Sequence, residues 1–419
     1  MATETPAALA ARLAEDAAER FLRYVRIDTQ SDEDSDTYPS TAKQLDLLRL
    51  LHGELEEIGL ADASLDEHGY VTATLPATVG HEVPTIAFFA HVDTAREVTG
   101  AGVDPRRIRY EGGEIALGSS GREIRPEESP ELANHVGHEL ITTDGTTLLG
   151  ADDKAGVAEI MAAVAYLAAH PELPHGPVKV AFNPDEEVGR GVLHFPLDRF
   201  GADAAYTVDG STAGELQAET FSAAQVTMRI RGRAIHPGWA KGELVNAIKL
   251  AAEIVARLPQ DRLSPETTGG REGFVHPILV AGSSAEVELR FIARDFEDDL
   301  LDGHVDFLRG LAEEVAAAEP RCSIDVETQI QYRNMRDVVA EHPEIVANLE
   351  EAIRRIGLEP RRTAVRGGTD GSALTQMGLP TPNIFTGCHD AHSEREWICV
   401  EDMGLAAATV VELARLWSE

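Results

Sequence analysis

Apolar residues recur at three- and four-residue intervals through Leu45, Leu48, Leu51, Leu55 and Ile58, which predicts a helix with one buried face. Thr41 with Gln44 reads as a capping box ahead of it, and Gly59 as its stop. Residues 1–20 are rich in Ala and Glu and predict an amphipathic helix. They lack the basic region followed by an apolar one that marks a secretion signal. Residues 86–90, 178–182 and 204–208 are short continuous apolar runs, the length and pattern of buried strands. Between the first two runs lies a stretch rich in Gly, Pro and charge (99–134), read as loops and short strands. A Gly-rich turn (145–150) and a helix of small residues (154–169) follow it. Strand, helix, strand repetition predicts an α/β fold: a mixed sheet flanked by helices.

From residue 221 the pattern changes. Val226, Met228 and Ile230 alternate as in a strand with one buried side. Residues 244–258 carry Leu244, Ile248, Ala251 and Val255 at helical spacing. Residues 274–280 and 287–292 read as strands, 300–318 as a helix and 324–330 as another strand. The order βαββαβ suits a ferredoxin-like α+β domain. Helix and strand then return, ending in a helix at 405–417. The expectation is one catalytic domain formed by 1–220 and 333–419, interrupted by a smaller domain at 221–332.

At 419 residues the chain exceeds the size at which one core usually stops growing, in keeping with two domains. A hydrophobic content of 43% excludes a disordered chain. No apolar run approaches the roughly 20 residues that cross a membrane. A net charge of −35 repels nucleic acid and anionic lipid, so neither is expected as a partner. Cys322, Cys388 and Cys399 are few, odd in number and without CxxC spacing. They read as ordinary thiols in a reducing, cytoplasmic setting. The acidic run Asp28, Asp32, Glu33, Asp34, Asp36 lacks the ligand spacing and glycine of a calcium loop and reads as solvated.

Five segments place carboxylates or histidines where predicted strands end or a helix begins. FFAHVDT (88–94) puts His91 and Asp93 two apart, on one side of an extended chain. LGADDKAG (149–156) sets Asp152 and Asp153 before a helix, as a cap or as a bridge between two cations. NPDEEVG (183–189) sets Glu186 beside Glu187, a repulsion that a cation relieves; one carboxylate can then ligate while the other takes a proton from water. YTVDG (206–210) offers Asp209, and FTGCHDAH (385–392) offers both His389 and His392. Taken singly, each has an ordinary structural explanation. Together they supply the donors of a hard or borderline metal site at the carboxyl ends of strands. No nucleophile elbow and no GxGxxG after a strand is present, and Thr369-Asp370 among Gly367, Gly368 and Gly371 is not a P-loop.

These motifs, with HPGWAKGELVNAI (236–248) and VRGGTDGSALTQMGLPTPNIFTG (365–387), resemble the M20 metallopeptidase family, and within it the aminotripeptidases. The resemblance runs in order from about Phe21 to the last helix. It implies two divalent ions, zinc by expectation, that share Asp152. His91 and Asp209 complete one site, and Glu187 with His392 the other. His392 is preferred to His389 for its spacing to Glu396-Trp397. Asp93 orients His91, and Glu186 is the general base. The resemblance also implies a cis bond between Asp152 and Asp153, a lid role for the inserted domain, and a homodimer in some relatives, which leaves oligomeric state open here. His236 is expected as an oxyanion donor, and Arg294 or Arg366 as a partner for the substrate carboxylate. The expected activity is release of the N-terminal residue from a short peptide. A dipeptidase, a carboxypeptidase or an N-acyl amino acid deacylase uses the same metal residues, and a non-enzymatic binding protein on this fold would lack one of them.

Overall fold

Strand Ile86–His91 is buried at every position, as befits a parallel strand covered on both faces. Phe88 and Phe89 point to opposite sides of it: Phe88 stacks on Tyr206, and Phe89 packs edge-on against Phe195 and Phe200. Val178–Asn183 and Ala204–Gly210 flank this strand in parallel, Val71–Leu75 joins antiparallel to the former, and Asn383–Phe385 runs parallel to the latter. The sheet is therefore mixed and has eight strands. Helices Pro6–Tyr24, Ala151–Ala169 and Val400–Leu416 pack on one another. The computed structural model describes residues 5–419, so the first four positions of the expected N-terminal helix lie outside the described residues.

Two compact units are present. One holds the chain up to Ala218 with Asp337–Thr363 and Thr369–Glu419; the other holds Glu219–Arg336 and Ala364–Gly368. Within the first, residues 99–142 build a small antiparallel sheet: Arg106–Arg109 and Glu139–Thr142 pair with Trp397–Cys399 and Cys388–His389. Its core gathers Tyr110, Leu117, Ile124, Leu140 and Trp397. The second unit is an antiparallel sheet in the order Phe274–Gly282, Glu286–Asp295, Ser222–Arg231, Ser323–Tyr332, with helices Ala247–Ala256 and Asp298–Ala318. That order is ferredoxin-like. Val226, Met228, Leu289, Phe291, Leu301 and Leu308 form its core.

Three local expectations change. The helix over 44–58 has no side-chain cap at its start. Gln44 turns its amide to Ser40, Thr41 and Asp185 instead, the last at 2.7 Å, because a buried carboxylate outcompetes a capping geometry. The helix expected from 244 begins at Ala247, where Asn246 caps Ile248 N–H at 2.9 Å. The last helix begins at Val400, five residues early. Gly59 closes its helix at φ +104°, a value that favours glycine. All three cysteines are free. No helix among the described residues is long and apolar enough to cross a membrane.

Candidate metal centre

His91 ends the central strand and is 3% exposed. Its Nδ1 donates to the Asp93 main-chain carbonyl at 3.1 Å and lies 3.4 Å from the Asp93 carboxylate. That fixes the tautomer and leaves Nε2 facing inward. The Asp93 carboxylate also accepts the backbone N–H groups of Glu186 at 3.0 Å and Glu187 at 3.2 Å.

Asp152 and Asp153 open the helix Ala151–Ala169 with non-helical dihedrals, and the bond between them is cis. Their carboxylates part. Asp153 is fully buried and accepts the N–H groups of His91 and Gly156, both at 3.2 Å. Asp152 points the other way. Its Oδ1 lies 3.2 Å from His91 Nε2, and its Oδ2 lies 3.3 Å from His392 Nε2. Glu396 fixes this turn by accepting from Leu149, Gly150 and Asp152 N–H at 2.8, 2.7 and 3.0 Å.

The Asp185-Glu186-Glu187 turn follows strand Val178–Asn183. Asp185 takes φ +62° and is buried. It accepts from Ser40 N–H, Ser40 Oγ and Gln44 Nε2, and its own N–H donates to Gln44 Oε1 at 3.1 Å. Glu187 Oε2 lies 3.1 Å from His392 Nε2, while its Oε1 is buried without a hydrogen-bond partner. Glu186 Oε2 and Asp209 Oδ1 lie 4.0 and 3.9 Å from His91 Nε2. Asp209 N–H is held by Asn383 Oδ1 at 3.0 Å.

Seven of the ten candidate residues therefore converge: His91, Asp93, Asp152, Glu186, Glu187, Asp209 and His392. His389 does not join them; it stacks on Trp397 elsewhere in the first unit. His236, Arg294 and Arg366 belong to the second unit. His236 accepts Gly238 N–H and lies against Trp239. Arg294 donates to the Ala293 carbonyl at 3.0 Å and stacks over Tyr332. Arg366 donates to the carbonyls of Gly270 and Glu272 at 2.7 and 2.9 Å and stacks over Phe221.

The electrostatics are those of a carboxylate cluster in need of positive charge. Burial pushes Glu186 and Asp209 well above the usual carboxylate range and Glu187 up to about 7, and neighbouring carboxylates add to each. Burial opposes ionisation of Asp152 too, but hydrogen bonds from His392 and His91 outweigh it and hold its carboxyl low. Hydrogen bonds to Asp152 and Glu187 raise His392 to about 11. Among the described residues, His91, Asp152 and Glu187 bring ligand atoms within 4.8 Å of one another, as do His91, Asp153 and Asp209. Asp153 already serves two main-chain N–H donors, so Asp152 is the carboxylate of the pair that faces the two histidines. The unpartnered Glu187 oxygen and this mixed N and O donor set fit divalent cations.

Asp370 does not stand out in the sequence, because its glycine-rich setting matches no phosphate loop. The structure buries it, with Asn183 Nδ2 donating to it at 2.6 Å. Burial raises its carboxyl to about 6, against the opposing pull of His91. Asp153, Asp185 and Glu396 are likewise invisible in the sequence as supports. Their only signal there is adjacency to the motifs.

The sequence profile of peptidase family M20/M25/M40 matches residues 137–416. This chain belongs to that family. A protein of Geobacillus thermodenitrificans named Peptidase T is 49% identical to this M20 chain over 403 residues, 96% of this chain and 98% of that protein. A Bacillus licheniformis protein of the same name is 48% identical over the same shares. A crystal structure of aminopeptidase PepT from Bacillus cereus superposes with a TM-score of 0.75 at 25% identity, covering 97% of this chain and 99% of that one. The M20 resemblance expected from the motifs is borne out, and with it a metallopeptidase on a mixed α/β fold.

Proposed function

We propose that this M20 chain is a two-metal aminopeptidase that releases the N-terminal residue of tripeptides. The observation that carries the reading is the split of Asp152, one oxygen towards His91 and the other towards His392. In this reading His91 and Asp209 hold one ion, Glu187 and His392 the other, and Asp152 is shared. Zinc suits the two imidazoles and three carboxylates. When bound, two such ions lower the pKa of a water and polarise the scissile carbonyl.

The chain's own residues do the rest. Glu186 is the carboxylate beside His91 that the proposed ligand sets leave free. Burial raises its proton affinity, which brings a carboxylate towards the working range of a general base. It takes a proton from the attacking water as the oxygen–carbon bond forms, and returns it to the leaving nitrogen as the carbon–nitrogen bond breaks. Asp93 holds Glu186 by its N–H and His91 by its ring.

Asp370 is a further buried carboxylate whose field reaches Glu186 and Asp209. We assign it the substrate's ammonium group, which a water-excluded site must pair with an anion. That assignment favours an aminopeptidase over a carboxypeptidase or a deacylase. Three free cysteines fit a reducing compartment and hence a cytoplasmic enzyme. A panel of tripeptides with free and acetylated amines tests the reading. Free tripeptides are cleaved faster; faster cleavage of blocked peptides contradicts it.

A further inference from the structure

We propose that His135, His389 and Asp402 form another divalent transition-metal site, one that shares no residue with the centre around Asp152. His135 ends the short helix Pro130–His135, His389 lies in strand Cys388–His389, and Asp402 lies in the first turn of helix Val400–Leu416. One ligand atom from each lies within 4.8 Å of the other two. The residues are 4%, 6% and 5% exposed.

Each side chain is already aimed. His135 Nδ1 donates to the Glu131 carbonyl at 2.8 Å, so that nitrogen keeps its proton and Nε2 is directed to Asp402 Oδ2, also at 2.8 Å. His389 lies flat on Trp397, with ring centroids 4.3 Å apart, and its Nε2 is buried without a hydrogen-bond partner. An unpartnered buried nitrogen is costly, and a metal bond removes that cost.

The surroundings favour a cation. Glu159 is fully buried, and neither of its carboxylate oxygens has a hydrogen-bond partner. Burial first, and then the charge on Asp402, oppose its ionisation. Two imidazoles and a carboxylate select zinc, cobalt or nickel over calcium or magnesium. His138 and Cys399 form a second close group with His135. An ion here ties three separate segments together, including the strand that leads to His392. The competing arrangement is an imidazolium–carboxylate pair between His135 and Asp402, with a water at His389.

Crystals of the wild-type chain soaked in Co2+ decide between them. An anomalous difference map at the cobalt edge is expected to show a peak between His135, His389 and Asp402, apart from those around Asp152. Equilibrium dialysis at micromolar free Co2+ is expected to retain three equivalents in the wild type and two in His389→Gln and Asp402→Asn. A map with peaks only around Asp152, or a wild type that saturates at two equivalents, overturns the proposal. Both wild-type readouts stand even if a variant fails to fold.

Discussion

The carboxylate of Asp93 accepts the backbone N–H of Glu186 at 3.0 Å, so the residue whose carbonyl holds the His91 ring also positions the proposed base. Asp93→Ala removes the carboxylate that accepts from Glu186 and Glu187 N–H and lies 3.4 Å from His91 Nδ1, and leaves that ring only the main-chain carbonyl. Partners of this kind are worth about 10–100-fold in metal affinity or activity. The expected result is a fall of that size in kcat/KM with an unchanged circular dichroism spectrum. Activity within twofold of wild type would show that Asp93 is only a core residue.

Asp370 is tested by separating binding from chemistry. A hydrogen bond to a charged group contributes about 1.5–3 kcal/mol, roughly 10–100-fold. Asp370→Ala is expected to lower kcat/KM for free-amine tripeptides by that factor and to leave the slow hydrolysis of N-acetylated peptides unchanged. An equal loss on both substrates would mean that Asp370 supports the fold of the site and does not touch the amine.

Metal binding is expected to be coupled to protons. In the cation-free chain His392 keeps its proton up to about 11, and Glu187 up to about 7. A cation must displace whatever protons its ligands hold. At pH 8 His392 is protonated and Glu187 is not, so this pair releases about one proton; at pH 6 both are protonated and about two leave. Apparent affinity therefore falls as pH drops. Calorimetry in two buffers of different ionisation heat counts the protons, and equal counts at both pH values would refute the assignment.

Gly156 lies where the motif helix crosses strand Ala204–Gly210. A Cβ there would run into the carbonyl oxygen of Val208 and the Asp153 carboxylate. Overpacking against backbone costs about 1–3 kcal/mol. Gly156→Ala is expected to lower the melting temperature of the metal-free protein by several degrees, and Gly303→Ala, in open space at an exposed position of helix Asp298–Ala318, is expected not to. Equal effects would remove the packing argument.

Much of this was legible in the chain. Residues 86–90 are apolar without interruption because the strand is covered on both faces, and the βαββαβ pattern is readable where a strand such as Glu286–Asp295 alternates between buried and part-exposed positions. The His, Asp and Glu of the centre are visible because they fall in short motifs where a strand ends or a helix begins. What the sequence hid is what long-range geometry decides. Spacing to Glu396-Trp397 separates His392 from His389 in the sequence, but only the fold shows one beside Asp152 and the other beside His135. Asp152 and Asp153 are adjacent, yet one lies beside His91 Nε2 and the other holds main-chain N–H groups. Gln44 looked like a cap because its true partner, Asp185, lies 141 residues away.

The central claim is that Glu186 acts as the base beside metals it does not hold. Glu186→Gln keeps the shape and removes the basicity. General-base catalysis contributes about 10²–10⁴-fold. Metal content and tripeptide turnover, measured on the same preparation, should show wild-type metal at the catalytic centre and a turnover reduced by at least that range. Retained turnover, or loss of metal along with activity, would contradict the account.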